Sequence, residues 1–360
     1  MPVQSKVWRH AYRWDLDKTY LDTRFEKFSE LVRIPFQGAE DKVNIPGSAA
    51  LLRELSRSAE GQPDAFVSIV SGSPKQLREV LEEKLSLDGV SWHEFHLKPQ
   101  LRNLRKGRLR AVKEQIGYKL PLMLASRASL ACCPRETLFG DDAEVDAFIY
   151  SLYADLLTGR CGFDQVDELL SHVGASAAAK RDVERSLLKL EPSLSEQEPV
   201  ETIFIYLDSG SPPALFEPFG SRLIPVFNYY QAALVLFARG HLDVRSVLRI
   251  TAAFLEADRC GPWELANLFQ DIARRGHLAY DAMENLALAI QDEGLGSETE
   301  QVLWASARRM LDLGDLATSQ LEAQQEVSDY LQLLTQFKEA QRTIHQARSE
   351  RVPESSGPQA

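Results

Sequence analysis

Short strand-like segments alternate with helix-like segments through the first two thirds of this 360-residue chain. Residues 66–70, 137–139, 202–207 and 223–227 have the β-branched and aromatic composition of buried strands, and residues at helical spacing follow the first two. Parallel strands need a crossover between them, usually a helix, so this alternation is typical of a parallel sheet. The pattern therefore predicts an α/β fold with a mainly parallel sheet.

Beyond the last of these strands the chain has only helical patterns, with glycines at the predicted helix ends. We expect an α/β domain over residues 1–235, with an Ala- and Ser-rich helical insertion at about 161–198. An all-helical C-terminal region would follow over 236–349. The Pro-, Ser- and Gly-rich residues 350–360 predict a disordered tail.

The last predicted helix, residues 318–349, carries apolar residues at alternating spacings of three and four. They are Val327, Tyr330, Leu334, Phe337 and Ile344. Fewer than four heptads leave two interpretations open. The helix packs onto the protein's own domain, or it forms a homodimer or binds a partner.

Composition and charge restrict the possible partners. The chain is 44% hydrophobic and 26% charged, as in ordinary soluble proteins, and it has no run of 18 apolar residues and no signal-peptide pattern. We therefore expect a cytoplasmic protein without a transmembrane segment.

The net charge is −11. Residues 1–136 hold 23 Lys and Arg against 17 Asp and Glu, and residues 137–360 hold 18 against 35. The acidic part disfavours nucleic acid, and the basic part suits a small anionic substrate.

The stretch Asp15-Leu16-Asp17-Lys18-Thr19 is the first candidate for chemistry. Two carboxylates two residues apart, at the end of a strand, can both project into the crevice at the carboxyl edge of a sheet. Asp15 can then act as nucleophile and metal ligand while Asp17 moves protons. Taken alone, the same residues fit a solvated turn that caps the next helix equally well.

Two later segments offer groups that bind phosphate. Ser71 follows a predicted strand, in a predicted turn over residues 71–74, and offers a hydroxyl beside the approachable backbone of Gly72. Lys119 stands at the start of a helix predicted over residues 119–130, with Pro121 in its first turn. At that position its ammonium group and the helix dipole both favour an anion.

An acidic cluster after the predicted strand 137–139 offers ligands for a hard cation. Gly140 is followed by Asp141 and Asp142, and Asp146 comes four residues later. Mg²⁺ prefers oxygen ligands such as carboxylates and keeps several waters. The order along the chain is thus an aspartate pair, a serine, a lysine and an acidic cluster.

That order resembles the four motifs of the haloacid dehalogenase superfamily, and residues 12–155 look most like the catalytic domain of the actin-patch-associated phosphatidate phosphatases. Five segments carry the resemblance: Asp15–Thr19, Asn44-Ile45-Pro46-Gly47, Ser71-Gly72-Ser73-Pro74, Gly117-Tyr118-Lys119-Leu120, and residues 139–146. The resemblance implies a Rossmannoid three-layer sandwich. It also implies a Mg²⁺-dependent phosphatase that acts on a phosphomonoester, either a phospholipid such as phosphatidate or a soluble phosphate ester.

The roles of the residues follow from the same resemblance. Asp15 would form an aspartyl-phosphate, and Asp17 would protonate the leaving oxygen. Ser71, Gly72 and Lys119 would hold the phosphoryl group. The implied metal ligands are Asp15, Asp17 through its carbonyl, and Asp141, with Asp142 or Asp146 in support.

Two other functions remain open at the level of the sequence. One is a non-catalytic protein that keeps the scaffold and binds a partner through its helical region. The other is a phosphotransferase, which shares the first half-reaction with a phosphatase.

A second Ser-Gly-Ser-Pro, at residues 209–212, follows another predicted strand, but no second Asp-x-Asp-x-Thr precedes it. We interpret it as a coincidence of loop composition.

Overall fold

The structure is a computed structural model. It describes residues 7–23, 38–57, 65–98, 108–130, 134–190, 198–258, 260–314 and 329–351. The predicted tail at residues 350–360 lies almost entirely outside the described residues, as does the first third of the helix predicted over 318–349.

A six-stranded sheet, parallel throughout, forms the centre of the molecule. Its strands are β1 (His10–Trp14), β2 (Ala65–Pro74), β3 (Glu94–Lys98), β4 (Arg135–Asp141), β5 (Val200–Tyr206) and β6 (Leu223–Val226). They lie in the order β3-β2-β1-β4-β5-β6. This is the order of a Rossmann-like sheet, in which the direction of winding reverses between β1 and β4. The predicted α/β class with a parallel sheet is confirmed.

Helices cover both faces of this sheet. In chain order they are α1 (Ser48–Ser56), α2 (Arg78–Leu87), α3 (Arg108–Ser129), α4 (Asp146–Thr158), α5 (Phe163–His172), α6 (Ala177–Leu190), α7 (Tyr229–Ala238), α8 (Val244–Asp258), α9 (Pro262–Arg274), α10 (Tyr280–Glu293), α11 (Glu298–Asp312) and α12 (Tyr330–Arg351). Helices α5 and α6 lie within the residues of the predicted helical insertion. None of the helices in the described ranges has both the length and the apolar character needed to span a bilayer.

Two hydrophobic clusters fill the space between the helices and the sheet. One joins Trp14, Ile69 and Phe204 of the sheet to helices α1 and α7–α11. The other joins Leu138 and Ile203 to helices α3–α6 and to α12. The helices after β6 therefore share a core with the sheet, and the predicted domain division at residue 235 stays a prediction.

The central strand β1 is buried along its whole length although it contains an arginine. The guanidinium of Arg13 donates to both carboxylate oxygens of Glu136 on β4, at 2.8 and 2.9 Å. Arg127 and Tyr153 also donate to Glu136, at 2.7 and 2.8 Å. A buried charge is tolerated only when it is paired and hydrogen-bonded in this way.

The position of Lys119 differs from the prediction. The prediction that a helix begins at Lys119 is wrong, because α3 starts at Arg108 and contains Pro121 in its interior. Ile116, Leu120 and Leu124 are all fully buried in one cluster, so tertiary packing keeps the helix continuous through a proline that lacks a backbone donor. The dipole of a helix N-terminus therefore gives no help at Lys119.

Strand β2 also differs from the prediction. Residues 71–74 were expected to form a turn, which is wrong: they continue β2 to Pro74, with a shift of register against β3 after Ser71. At this irregularity, near the end of an inner strand, Ser71 and Ser73 face inward, and both are almost completely buried.

Helix α12 packs onto the chain itself. Phe337 makes aromatic contacts with Phe216 and Phe219, and Tyr330 donates to Asp155 of α4 at 2.5 Å. The buried face of α12 therefore belongs to the core of the same molecule. A dimer or partner contact through the remainder of this helix stays a prediction.

Candidate active site

The candidate residues meet at the carboxyl edge of the sheet, between β1 and β4. Asp15 comes directly after β1, and its backbone N–H donates to the carbonyl of Phe139 on β4 at 2.9 Å. Asp141 is the last residue of β4. Neighbouring strands whose crossovers run in opposite directions leave a crevice at this edge, which is where ligands bind in open α/β sheets.

Lys119 lies at the centre of the site and is almost completely buried. Its Nζ atom lies 2.9 Å from Oδ1 of Asp15, 2.5 Å from Oδ1 of Asp146 and 3.3 Å from Oε2 of Glu144. Burial alone would lower the pKa of the ammonium, but the three carboxylates raise it well above its ordinary value. Lys119 is therefore a fixed cation.

Asp141 is held on the other side of Asp15. Its Oδ1 atom accepts the backbone N–H groups of Ala143 and Glu144, at 2.7 and 3.0 Å. The hydroxyl of Thr19 lies 3.4 Å from a carboxylate oxygen of both Asp15 and Asp141. The turn after β4 thus fixes Asp141 and presents Glu144 to Lys119.

Asp17 is held by the end of β2. Ser71 donates to its Oδ2 atom at 2.8 Å, and Ser73 lies 3.0 Å from both of its carboxylate oxygens. Burial raises the pKa of Asp17, while the hydrogen bonds from Ser71 and Ser73 act in the opposite direction. The result is a carboxyl group that is positioned rigidly and kept nearer to its neutral form.

The residue between the two aspartates adopts an unusual backbone conformation. Lys18 has a φ of 60° and is the only non-glycine residue with positive φ in the described part of the chain. Its Nζ atom lies 3.6 Å from Oδ2 of Asp208. Such a left-handed residue costs free energy and persists where the surrounding contacts impose it. Here the tight turn allows Asp15 and Asp17 to face the same crevice.

The site carries more buried negative charge than one lysine balances. Burial, with the neighbouring acids, raises the pKa of Asp15 and of Asp141 well above their ordinary values. Burial also raises the pKa of Asp146. Lys119 lowers all three, but it cannot neutralise them. Carboxylates placed together without water favour a cation between them.

A divalent cation fits one part of this cluster. Ligand oxygens of Asp15, Glu144 and Asp146 all lie within 4.8 Å of one another. Oδ2 of Asp146 is buried and accepts no hydrogen bond from the described residues, and Oδ1 of Asp15 lies beside the Lys119 ammonium at 2.9 Å. Three clustered carboxylates form the hard donor set that Mg²⁺ prefers.

Gly140 allows this close arrangement. A Cβ atom there would lie 2.6 Å from Asp146 and 2.8 Å from the ring of Tyr150. Both of these residues are buried beneath the site. Any side chain at position 140 would therefore push Asp146 away from Lys119. A glycine inside a strand is a sequence signal for such an approach.

Two residues expected at the site have other surroundings. The carboxylate of Asp142 points to the loop after β5, where it accepts the backbone N–H groups of Ser209 and Ser211 at 2.6 and 2.9 Å. It therefore fixes the loop and lies outside the group of clustered ligand oxygens. Gly72 lies within β2, and a Cβ atom there would meet no described atom within 4 Å. The backbone at Gly72 is thus open to a ligand.

Three residues of the site were not assigned roles from the sequence. Glu144 contacts Lys119, Ser73 binds Asp17, and Thr19 bridges Asp15 and Asp141. All three lie inside the motif segments quoted above. Their signal was therefore present, but which neighbour of a motif faces inward depends on the turn geometry.

Comparisons of this chain with protein-family models, with curated proteins and with solved structures find no match. Its function is therefore inferred from its own residues and their geometry.

Proposed function

We propose that this protein is a Mg²⁺-dependent phosphatase of the haloacid dehalogenase type that hydrolyses a phosphomonoester through Asp15. One observation carries the proposal: Asp15 lies 2.9 Å from the buried Lys119 ammonium at the switch point of the sheet, in a cluster with Glu144 and Asp146. A nucleophilic carboxylate, a fixed cation and spare carboxylate oxygens are the groups that phosphoryl transfer requires.

In the first half-reaction Asp15 attacks phosphorus, and the bond between phosphorus and the ester oxygen breaks. Asp17 gives its proton to the departing oxygen, so the products are an alcohol and an aspartyl-phosphate. The raised pKa of Asp17 suits this role because it favours the protonated form before attack. Ser71 and Ser73 keep the carboxyl group in place.

In the second half-reaction Asp17, now ionised, takes a proton from water. The water oxygen attacks phosphorus and releases inorganic phosphate, which restores Asp15. Lys119 and the open backbone at Gly72 would hold phosphoryl oxygens through both steps, and the Ser71 hydroxyl would join them by turning away from Asp17.

Asp15, Glu144 and Asp146 would hold the Mg²⁺ ion, which offsets the repulsion between carboxylate and phosphate. Asp141 lies beside them, linked to Asp15 through Thr19. Asp142 supports the site through the loop after β5. The substrate we propose is a small phosphate ester or the headgroup of a phospholipid such as phosphatidate.

The test is release of inorganic phosphate from an aryl phosphate and from phosphatidate vesicles, with and without Mg²⁺. The isosteric change Asp15→Asn should lower kcat by about a thousandfold or more, because it removes the nucleophile. Asp17→Asn should also lower kcat strongly. Asp164→Asn, which alters an exposed acid on α5, should keep normal activity.

Two outcomes would overturn the proposal. One is an Asp15→Asn protein that releases phosphate as fast as the wild type. The other is a wild-type protein that releases no phosphate from a broad panel of esters in the presence of Mg²⁺. Phosphate appearing on an added alcohol in place of water would show the phosphotransferase instead.

A further inference from the structure

A second cluster of potential ligands lies at the opposite edge of the sheet. His10 is the first residue of β1, Glu201 lies at the start of β5, and His241 follows the end of α7. Ligand atoms of the three residues all lie within 4.8 Å of one another. His10 and Asp15 stand at opposite ends of β1, roughly 16 Å apart at about 3.3 Å per residue. The phosphatase proposal uses none of these three residues.

Each histidine ring is oriented by a hydrogen bond to one of its nitrogens. Nε2 of His10 lies 2.9 Å from the hydroxyl of Thr137, and Nδ1 of His241 lies 3.0 Å from the hydroxyl of Tyr12. Nε2 of His241 faces Oε2 of Glu201 at 3.3 Å. Histidines that bind metals usually have one nitrogen fixed by a neighbouring oxygen while the other binds the ion.

The backbone that carries His241 is also fixed. Gly240, two residues after the end of helix α7, has a φ of 76°, and its N–H donates to the carbonyl of Phe237 at 2.9 Å. The N–H of His241 donates to Leu236, again at 2.9 Å. These two hydrogen bonds form a Schellman motif, a glycine-dependent helix ending that fixes the backbone of the following residue. His241 is therefore held towards β1 and β5 before any ligand binds.

The cluster is sheltered yet reachable from solvent. His10 is 8% exposed, and the side chains of His241 and Glu201 are 12% and 13% exposed. Arg135 lies 3.5 Å from Glu201, but its side chain is 57% exposed and can turn away.

We propose that His10, Glu201 and His241 bind a transition-metal ion of the Zn²⁺ class, which links β1, β5 and the end of α7. Two imidazole nitrogens and one carboxylate oxygen suit Zn²⁺, whereas Mg²⁺ prefers oxygen ligands alone. When His241 binds the ion through Nε2, its ring carries the proton on Nδ1, which donates a hydrogen bond to the hydroxyl of Tyr12. A fourth position remains for water.

The test uses the full chain, stripped of metal with a chelator and then incubated with Zn²⁺ in the presence of excess Mg²⁺. The Mg²⁺ fills sites made only of oxygen. After gel filtration we expect one zinc ion per wild-type chain. His241→Ala should reduce the bound zinc to background, and the exposed His172→Ala should retain it. Glu201→Gln gives a second test if His241→Ala does not fold.

Affinity and spectroscopy distinguish a preformed metal site from nonspecific metal binding. Tyr12→Phe should keep one zinc ion per chain but weaken its affinity about 10- to 100-fold, because it removes the oxygen that fixes His241. Co²⁺ in place of Zn²⁺ should give the intense absorption bands of a tetrahedral ion in the visible region. The bands that a Co²⁺–thiolate bond would give should be absent, because neither Cys161 nor Cys260 is a ligand. Equal zinc in the wild type and His241→Ala, or no zinc retained by the wild type, would overturn the proposal.

Discussion

At the scale of single residues, the centre of the sheet holds a group of charged side chains that pair with one another where an apolar core is expected. Arg13 and Glu136 lie on neighbouring central strands and form a two-point ion pair that Arg127 and Tyr153 complete. Burial alone would raise the pKa of Glu136, but Arg13 and Arg127 lower it to about 2. This network connects β1 and β4, the two strands whose carboxyl ends carry Asp15 and Asp141.

Glu136→Gln should destabilise the protein by about 3–5 kcal/mol at pH 7, because it leaves two buried guanidinium groups without a charged partner. The pKa of Glu136 is lower in the folded state than its ordinary 4.5, so its stabilisation is complete above about pH 4.5 and is lost as the pH falls towards 2. Urea unfolding of both proteins between pH 7 and pH 3 measures this. The exposed Glu79→Gln is the control. A difference that stays constant with pH would contradict the prediction.

At the scale of helices and strands, the sequence identifies elements whose own pattern is strong. The strands at 66–70 and 137–139 were predicted because β-branched and aromatic residues end abruptly at polar ones. Strand β3 was not predicted, since Glu94 and His96 interrupt its apolar residues on an edge strand that is only half buried. The start of α3 was misplaced because Pro121 resembles a first-turn proline, and only packing against α5 and α6 shows otherwise.

The site was predicted to a similar extent. Asp15, Asp17, Ser71, Lys119 and Asp146 do converge, because they follow or face the carboxyl ends of adjacent parallel strands. Asp142 turns away, since its partners are backbone N–H groups of a loop 67 residues later in the chain. Sequence spacing contains no information on such a contact. These N–H groups belong to the backbone of the Ser-Gly-Ser segment at 209–211, which we interpret as a coincidence of loop composition.

Helix α12 reaches the site through the side chain of Gln341. Gln341 donates to the carbonyl of Asp142 at 2.9 Å and lies 3.5 Å from that of Glu144, so it holds the turn that presents Glu144 to Lys119. If the proposed phosphatase activity is present, Gln341→Ala should lower kcat/KM about fivefold, as expected for the loss of about 1 kcal/mol of positioning. Steady-state kinetics at several Mg²⁺ concentrations would measure it. Gln336→Ala, on the exposed face of the same helix, is the matched control, and an equal effect of both changes would refute the role of Gln341.

At the scale of the whole molecule, folding brings together carboxylates that repel one another. Asp15, Asp141 and Asp146 are completely buried, and Lys119 forms ion pairs with Asp15 and Asp146. In the unfolded chain the same groups are hydrated and far apart. The folded protein without metal therefore carries an electrostatic cost, which a bound divalent cation would remove.

Mg²⁺ should accordingly raise the melting temperature, because it binds the folded state and hardly binds the unfolded chain. At a hundredfold excess over its dissociation constant the gain is about 2.7 kcal/mol. Thermal unfolding in MgCl₂ and in NaCl of equal ionic strength separates specific binding from screening. Glu144→Gln removes one carboxylate of the group that would hold the ion and should reduce the rise, whereas the exposed Glu79→Gln should leave it unchanged. An equal melting temperature in the two salts would show that the buried carboxylates bind no Mg²⁺. Their excess negative charge would then need to be relieved by protons, with Asp15 or Asp141 neutral at pH 7.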